Sequence, residues 1–211
     1  VDMSKLIKKT FALYGTFDPT ITSFEGGAPN MNMSKLKLKG AWSDELIQKI
    51  TNPNKPLTSA SEYNFRGLDK AKVGDFKGAI DDFNKAIEIK PTGQIYYNRA
   101  YSKSMIKDFE GAIKDYDKTI ELEYRLAEAY FERGYCKDQL NNSEGAIADY
   151  TKAIETNKEY ADAYNNRAFT KLKQKNYKAA IKDFDKAIKV KPDFAGAYVN
   201  RGFAKKEIGD K

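Results

Sequence analysis

Arginine is rare in this chain, and its placement is regular. The 211 residues contain 31 lysines and six arginines. A guanidinium group is a planar fork of donors that pairs bidentately with a carboxylate or a phosphate, a geometry that lysine cannot reproduce. Five of the six arginines occupy one repeated position, so they form either a set of internal ion pairs or a row of contacts to an acidic ligand. They are Arg66, Arg99, Arg133, Arg167 and Arg201.

Candidate partners for these arginines recur with the same regularity. We expect each to pair with an aspartate on the following helix, forming a buried ladder of ion pairs. The alternative is that the arginine row grips an acidic ligand or phosphates. The lysines that follow one turn later stay ambiguous, because a long stem can carry its ammonium to solvent from a partly buried position. The aspartates are Asp82, Asp115, Asp149 and Asp183, and the lysines are Lys70, Lys103, Lys137, Lys171 and Lys205.

Other residues that could carry out chemistry are scarce. The chain has no histidine, which removes the commonest general base and most zinc sites. Its single cysteine, Cys136, cannot form an internal disulfide, and we expect it to be a small, partly buried residue. Adjacent acids such as Asp81 and Asp82 point apart on a helix, and no glycine-rich phosphate loop is present. We therefore predict no catalytic residue, no cofactor and no metal, and a protein that is not an enzyme.

The elements that must position the arginines are helices in a repeated hairpin. A small residue follows each arginine, at intervals of 33, 34, 34 and 34 residues, and an alanine lies twelve residues beyond each of the first four. Small residues at fixed places in an amphipathic pattern let two helices pack closely. The small residues are Gly67, Ala100, Gly134, Ala168 and Gly202, and the alanines are Ala79, Ala112, Ala146 and Ala180.

This pattern resembles the tetratricopeptide repeat (TPR) family, whose signature is W-x2-L-G-x2-Y, then A-x3-F, then A and P over 34 residues. Tyrosine replaces the tryptophan here, arginine the leucine and lysine the tyrosine. The resemblance covers about residues 59–211 and implies an all-α fold, a right-handed α-solenoid of helical hairpins. Four full repeats are expected at about 60–92, 93–126, 127–160 and 161–194, followed by the first helix of a fifth at 195–211. We expect the native chain to continue past Lys211, or else this last helix to be a cap.

The same resemblance assigns ligand contact to the concave surface lined by the first helix of each hairpin. On these helices, the face opposite the arginines carries aromatic and amide side chains, which suit the backbone and side chains of an extended peptide. The aromatic residues could instead pack between adjacent hairpins, and for the last ring of each helix both readings stay open. The predicted groove residues are Tyr97, Asn98, Tyr101, Phe131, Glu132, Tyr135, Asn165, Asn166, Phe169, Asn200 and Phe203.

Charge restricts the choice of partner. Repeat proteins that hold the acidic tails of heat-shock chaperones use lysine and arginine in the third hairpin, where this chain has Glu128 and Glu132. We therefore exclude such tails as the ligand. The net charge of +7 could suggest nucleic acid, but ten of the 37 basic residues belong to the repeat pattern, so we consider nucleic acid an unlikely partner.

The first 58 residues follow a different pattern, with Gly26-Gly27 and Pro53 as helix breakers. We predict a partly helical N-terminal extension, with helices at about 4–14 and 44–51, that either caps the first hairpin or fills the groove. No apolar run approaches the roughly 20 residues that a membrane span needs. The sequence favours a soluble protein of the cytoplasm over a periplasmic or secreted one.

These observations predict a scaffold that binds an extended segment of a partner protein, or of another copy of itself, in the concave groove. The alternative is a docking or sensing segment of a larger enzyme, such as a kinase or transferase, truncated at Lys211. The native sequence beyond Lys211 would separate the two.

Overall fold

The computed structural model describes residues 57–209. The helices predicted at about 4–14 and 44–51, and the cap or groove-filling role of the extension, lie outside these residues. The described helices belong to one compact unit, Pro56–Lys211.

Helices account for all the regular secondary structure between residues 57 and 209. They alternate as the first and second helices of antiparallel hairpins, and the last is a first helix. The prediction of an all-α solenoid of hairpins is therefore confirmed. The helices are α1 (Ala60–Lys72), α2 (Phe76–Ile89), α3 (Gly93–Met105), α4 (Phe109–Glu121), α5 (Leu126–Gln139), α6 (Ser143–Thr156), α7 (Ala161–Lys173), α8 (Tyr177–Val190) and α9 (Ala195–Glu207).

Local side-chain hydrogen bonds determine where several helices begin. Ser59 and Glu62 form a reciprocal capping box at the start of α1. At the start of α2, Asp75 accepts a hydrogen bond from the Gly78 amide at 3.0 Å, and Asp108 and Asn142 cap α4 and α6 in the same way. Each cap satisfies a backbone donor that the first turn of the helix leaves unpaired.

Small residues allow the two helices of a hairpin to approach closely. Gly67 on α1 faces the ring of Phe83 on α2, and a Cβ atom at Gly67 would lie 2.6 Å from that ring. Gly134 faces Tyr150 in the third hairpin, where the corresponding distance is 3.0 Å. At Gly202 on α9 a Cβ atom would meet nothing within 4 Å, because no second helix follows within the described chain.

Helix contacts show which side of the array is concave. Each first helix contacts the second helix of its own hairpin and also the first helix of the next hairpin. Contacts of comparable extent do not link successive second helices in the described part of the chain. The first helices therefore lie closer together and line the inner side of the curve.

Candidate functional site

In each complete hairpin, the arginine of the first helix and the aspartate of the second are joined by two hydrogen bonds. Arg133 donates from Nε to Oδ2 of Asp149 at 2.8 Å and from Nη2 to Oδ1 at 2.6 Å. The aspartate side chains are only 2–8% exposed, so these carboxylates are paired away from bulk water. The structure thus brings together the partners predicted from the sequence. The sister pairs are Arg66 with Asp82, Arg99 with Asp115 and Arg167 with Asp183.

The remaining nitrogen of the guanidinium group reaches back to the preceding hairpin. Nη1 of Arg133 donates to Oδ1 of Asp117 at 2.5 Å. The acceptor always lies two residues after the ladder aspartate, so each arginine from Arg99 onward links its own helix to the preceding hairpin. Sequence reasoning missed this contact, although the recurring triplet of aspartate, aromatic residue and polar residue was a usable signal. The sister contacts are Arg99 to Asn84, Arg167 to Thr151 and Arg201 to Asp185, at 2.7–2.9 Å.

In each complete hairpin, the lysine four residues after the arginine pairs with the same aspartate, which resolves the ambiguity left by the sequence. Nζ of Lys137 lies 2.8 Å from Oδ2 of Asp149. Three sister pairs have the same geometry, so each buried carboxylate accepts two cations. They are Lys70 with Asp82, Lys103 with Asp115 and Lys171 with Asp183.

A tyrosine three residues before each arginine completes this arrangement. The guanidinium carbon lies 5.3–5.7 Å from the centre of the ring, within the range of a cation–π contact. These tyrosines replace the family's tryptophan. They are Tyr63, Tyr96, Tyr130, Tyr164 and Tyr198.

The ion pairs shift the pKa values of Asp82 and Arg133 in the directions that keep these two groups charged. Burial alone would raise the pKa of Asp82, but hydrogen bonds from Arg66 and Lys70 outweigh it and lower this pKa. For Arg133, burial alone would lower the pKa, but the carboxylates of Asp149 and Asp117 outweigh it and raise this pKa. Asp82 and Arg133 are therefore charged at neutral pH.

Turning to the predicted groove, the last aromatic residue of each first helix from α3 onward is exposed. Tyr101, Tyr135, Phe169 and Phe203 expose 42%, 39%, 42% and 49% of their surface. They lie at one equivalent position on consecutive helices of the concave side. Because large exposed apolar side chains in a row mark interaction surfaces more often than isolated ones, this row is the strongest candidate contact surface. We call these four residues the aromatic row.

A cleft between α1 and α3 extends the aromatic row toward the first hairpin. Its volume is about 490 Å³. Tyr97, Asn98 and Tyr101 had been predicted as groove residues, whereas the contributions of α1 and α2 had not. The lining residues are Leu68, Ala71, Lys72, Phe76, Phe83, Tyr97, Asn98, Tyr101 and Ser102.

Two predicted groove aromatics instead pack within their own hairpins and against the loops that follow them. The Tyr97 ring makes edge contacts with Tyr116 and Tyr124, at centroid distances of 5.6 Å and 6.1 Å. The Phe131 ring lies 5.7 Å from that of Tyr150 and packs also against the loop before α7. Both residues are half-buried, so the structure gives them a packing role whatever further contact they make.

The predicted asparagines differ in the hydrogen bonds that they make. Asn98 donates to Oδ1 of buried Asn64 at 2.9 Å, which links α3 to α1. Asn165 donates to Oδ1 of Asn166 at 3.3 Å, while its own Oδ1 is buried without a hydrogen-bond partner among the described residues. Asn200 is half-buried on α9. The amides therefore form short contacts along the concave side, with acceptor and donor capacity left over.

Glu132 occupies the position where the other first helices carry Phe65, Asn98, Asn166 and Asn200. It is half-buried, and burial raises the pKa of its carboxyl to about 7. None of the ion pairs or hydrogen bonds found within residues 57–209 involves its side chain. No cluster of three or more metal-ligating side chains includes it within the described chain.

Cys136 is fully buried rather than partly buried as expected. It packs with Ala100, Ala112 and Tyr116, because the first helices lie close enough to cover its position. Burial raises the pKa of its thiol to about 12, so the reactive thiolate is suppressed.

Comparisons with known proteins agree with this architecture. Models of the tetratricopeptide repeat match residues 63–92, 127–160 and 161–194. The chain is 41% identical over 63 residues to the tetratricopeptide repeat protein 36 homolog of Nematostella vectensis. That match spans 28% of this chain and 35% of the relative, so it covers about a third of the relative's length.

Solved structures share the fold over a larger part of the chain. A crystal structure of MamA superposes with a TM-score of 0.65 at 29% identity, covering 68% of this chain and 84% of MamA. YrrB, described as a TPR protein with an unusual peptide-binding site, superposes with a TM-score of 0.63 at 22% identity, covering 75% and 79% of the two chains. At that identity the likeness to YrrB concerns the fold alone.

The hairpin geometry and these matches identify a helical-repeat protein built from TPR units. The chain belongs to the tetratricopeptide repeat family. None of its described helices is long and apolar enough to cross a membrane.

Proposed function

We propose that the chain is an interaction scaffold whose concave face binds an extended segment of another protein, or of a second copy of itself. The observation that carries this proposal is the aromatic row, exposed at one position of four consecutive first helices. Rings at a regular spacing provide anchor area for alternate side chains of an extended segment.

The cleft between α1 and α3 supports the same proposal. A cavity of about 490 Å³ falls within the size range of ligand pockets, roughly 300–1,000 Å³. Its apolar walls could accept one large side chain, and the amide of Asn98 at its edge could bond the backbone of the segment. The peptide-binding character described for YrrB is compatible with this use of the fold.

The positive net charge offers less support for a nucleic-acid partner. Eight basic side chains pair with the four ladder aspartates. These cations are neutralised within the hairpins and are not available to phosphates. A nucleic-acid partner would further require affinity that falls steeply with salt.

Site-specific crosslinking tests the proposal. A photoreactive residue placed at Tyr101 or Phe169 should crosslink to a partner in an extract of the source organism. The same residue at Ile89, which is 49% exposed at the end of α2, is the matched control and should give no such product. Equal crosslinking from Ile89 would contradict the assignment of the concave face.

A loss-of-binding experiment complements the crosslink. Replacing Asn98 and Asn166 together by alanine should weaken capture of the crosslinked partner about tenfold, since each lost hydrogen bond contributes about 0.5–1.5 kcal/mol. Deleting residues 1–58 distinguishes the two roles predicted for the extension, because affinity rises if it fills the groove and is unchanged if it caps the first hairpin.

A further inference from the structure

The third hairpin contains a half-buried acidic side chain that the fold does not use. Glu132 differs from the ladder aspartates, each of which has an arginine and a lysine within hydrogen-bonding distance. Arg125, whose guanidinium lies over the Tyr97 ring, pairs with Glu128 at 2.8 Å and not with Glu132. The carboxylate of Glu132 therefore lacks a cation in the described structure.

Aromatic residues lie near this carboxylate. Cys136, one turn after Glu132 on α5, packs in the same cluster as Tyr97 and Tyr116, and the ring of Phe131, the residue before Glu132, lies 5.0 Å from that of Tyr160. Burial raises the pKa values of Tyr97, Tyr116 and Tyr160, and the charge of Glu132 adds to this effect. A carboxylate together with aromatic rings binds ammonium and guanidinium groups well.

The phenol of Tyr116 adds an unsatisfied polar atom to this cluster. Its side chain is fully buried, and its hydroxyl has no hydrogen-bond partner among the described residues. Buried hydroxyls are normally paired, so the contacts within the described chain leave both a carboxylate and a hydroxyl of this region without a partner.

The other carboxylates of α5 have cations. Glu128 pairs with Arg125 and Asp138 with Lys173, so Glu132 is left as the unpaired carboxylate of this helix within the described chain. Burial contributes most to the raised pKa of the Tyr160 phenol, and the carboxylates of Glu132, Glu128 and Asp162 raise it further.

From these observations we propose that the carboxylate of Glu132 receives a lysine or arginine side chain of the bound segment. This inference rests on the proposed function, because the segment must lie in the concave groove for its side chain to reach Glu132. It adds a ligand class: a segment with a basic residue where it crosses the third hairpin, flanked by apolar residues for the aromatic row. The basic group would form an ion pair with the carboxylate.

Selection from a random peptide library tests this inference. Displayed heptapeptides are selected on the full chain, on Glu132→Gln and on the double variant Tyr101→Ser/Phe169→Ser. We expect lysine or arginine to be enriched at one position by the parent chain and that enrichment to disappear with Glu132→Gln. Glu128→Gln is the matched control and should retain it, because Glu128 is already paired with Arg125.

Binding of one selected peptide then gives the size of the effect. Its affinity should fall at least tenfold for Glu132→Gln or when its basic residue is replaced by norleucine, and the two losses should not add. The variant Glu132→Asn, which introduces the residue found at the sister positions 98, 166 and 200, should behave like Glu132→Gln and guards against a folding defect.

The outcomes separate the two proposals. Peptides enriched by the parent chain without a basic residue, for example with an amide donor instead, would overturn the role of Glu132 and leave the groove intact. No enrichment over the Tyr101→Ser/Phe169→Ser variant would contradict the groove itself, and with it the inference about Glu132.

Discussion

The two faces of each first helix differ in how much they change from one hairpin to the next. On the face toward the second helix, arginine recurs in all five copies, with tyrosine before it and lysine after it. On the concave face, the position of Glu132 holds phenylalanine, asparagine or glutamate. The constant face makes contacts that every hairpin needs in order to fold, whereas the variable face is free to define a ligand.

The charges on the two faces illustrate the same difference. Asp149 is nearly as buried as a core residue but has two cations within 2.8 Å. Glu132 is half-buried and has none in the described chain. A paired carboxylate stabilises its surroundings, while an unpaired one is a destabilising feature that persists only if another requirement retains it.

The strongest test of this contrast is removal of a ladder carboxylate. Asp149→Ala should lower the free energy of unfolding by about 3–5 kcal/mol, because it removes the carboxylate that Arg133 and Lys137 share and leaves only Asp117 paired with Arg133. Urea denaturation followed by circular dichroism measures the change. Asp81→Ala, at an exposed aspartate of α2, is the control and should change stability by less than about 0.5 kcal/mol. Equal effects of the two variants would contradict the stabilising role of the ladder aspartates.

The opposite behaviour is expected when the groove carboxylate is neutralised. The pKa of Glu132 is about 7 in the folded chain against an ordinary 4.5, so the folded state holds this proton more tightly than the unfolded state. Stability from this group is therefore fully present below about pH 4.5 and is lost as the pH rises through 7. Glu132→Gln should be more stable than the parent at pH 8, by up to about 3 kcal/mol, and equal to it at pH 4. A parent chain as stable as the variant at pH 8 would show that the carboxylate has a partner.

Two glycines allow a smaller test of packing on the constant face. Gly67→Ala should destabilise by about 1–3 kcal/mol, because the new Cβ atom would meet the Phe83 ring at 2.6 Å. Gly202→Ala meets nothing within 4 Å and should stabilise α9 by up to about 1 kcal/mol through helix propensity. Thermal unfolding of both variants distinguishes the two positions, and a loss at Gly202 as large as at Gly67 would mean that the face of α9 is covered.

The smallest expected effect concerns the contact between hairpins. Thr151→Val removes the acceptor for Nη1 of Arg167 and should lower the free energy of unfolding by about 1 kcal/mol. Thr156→Val, at an exposed threonine of the same helix, is the control. Hydrogen exchange of α6 and α7 would show whether the loss is local to this junction.

The fold could be predicted from the sequence because the repeat has a regular period. Glycine or alanine after each arginine, and alanine twelve residues later, are sufficient to predict the hairpins and their approximate bounds. The recurrence of arginine and aspartate also made their pairing a reasonable expectation, since few other charged positions are constant.

Contacts between hairpins were harder to predict from the sequence. The lysines could point to aspartate or to solvent with equal ease, and the acceptors Asn84, Asp117 and Thr151 differ in residue type. The position of Tyr97 depends on the second helix of its own hairpin and on the loop after it, which a linear pattern does not specify. Cys136 was expected to be partly buried because the pattern did not show that the neighbouring hairpin covers it.

The reach of each arginine into the preceding hairpin bears on how the array unfolds. In a linear repeat protein, stability is approximately the sum of the intrinsic terms for each unit and the coupling terms between neighbours. The contacts of Arg99, Arg133 and Arg167 to the preceding second helix contribute to these coupling terms. A single arginine thus contributes both to the intrinsic stability of its own hairpin and to the coupling with the preceding hairpin. Loss of that arginine should therefore destabilise both hairpins. We therefore expect the array to unfold in cooperative blocks of several hairpins. The same contacts between hairpins should keep the curvature of the concave face constant.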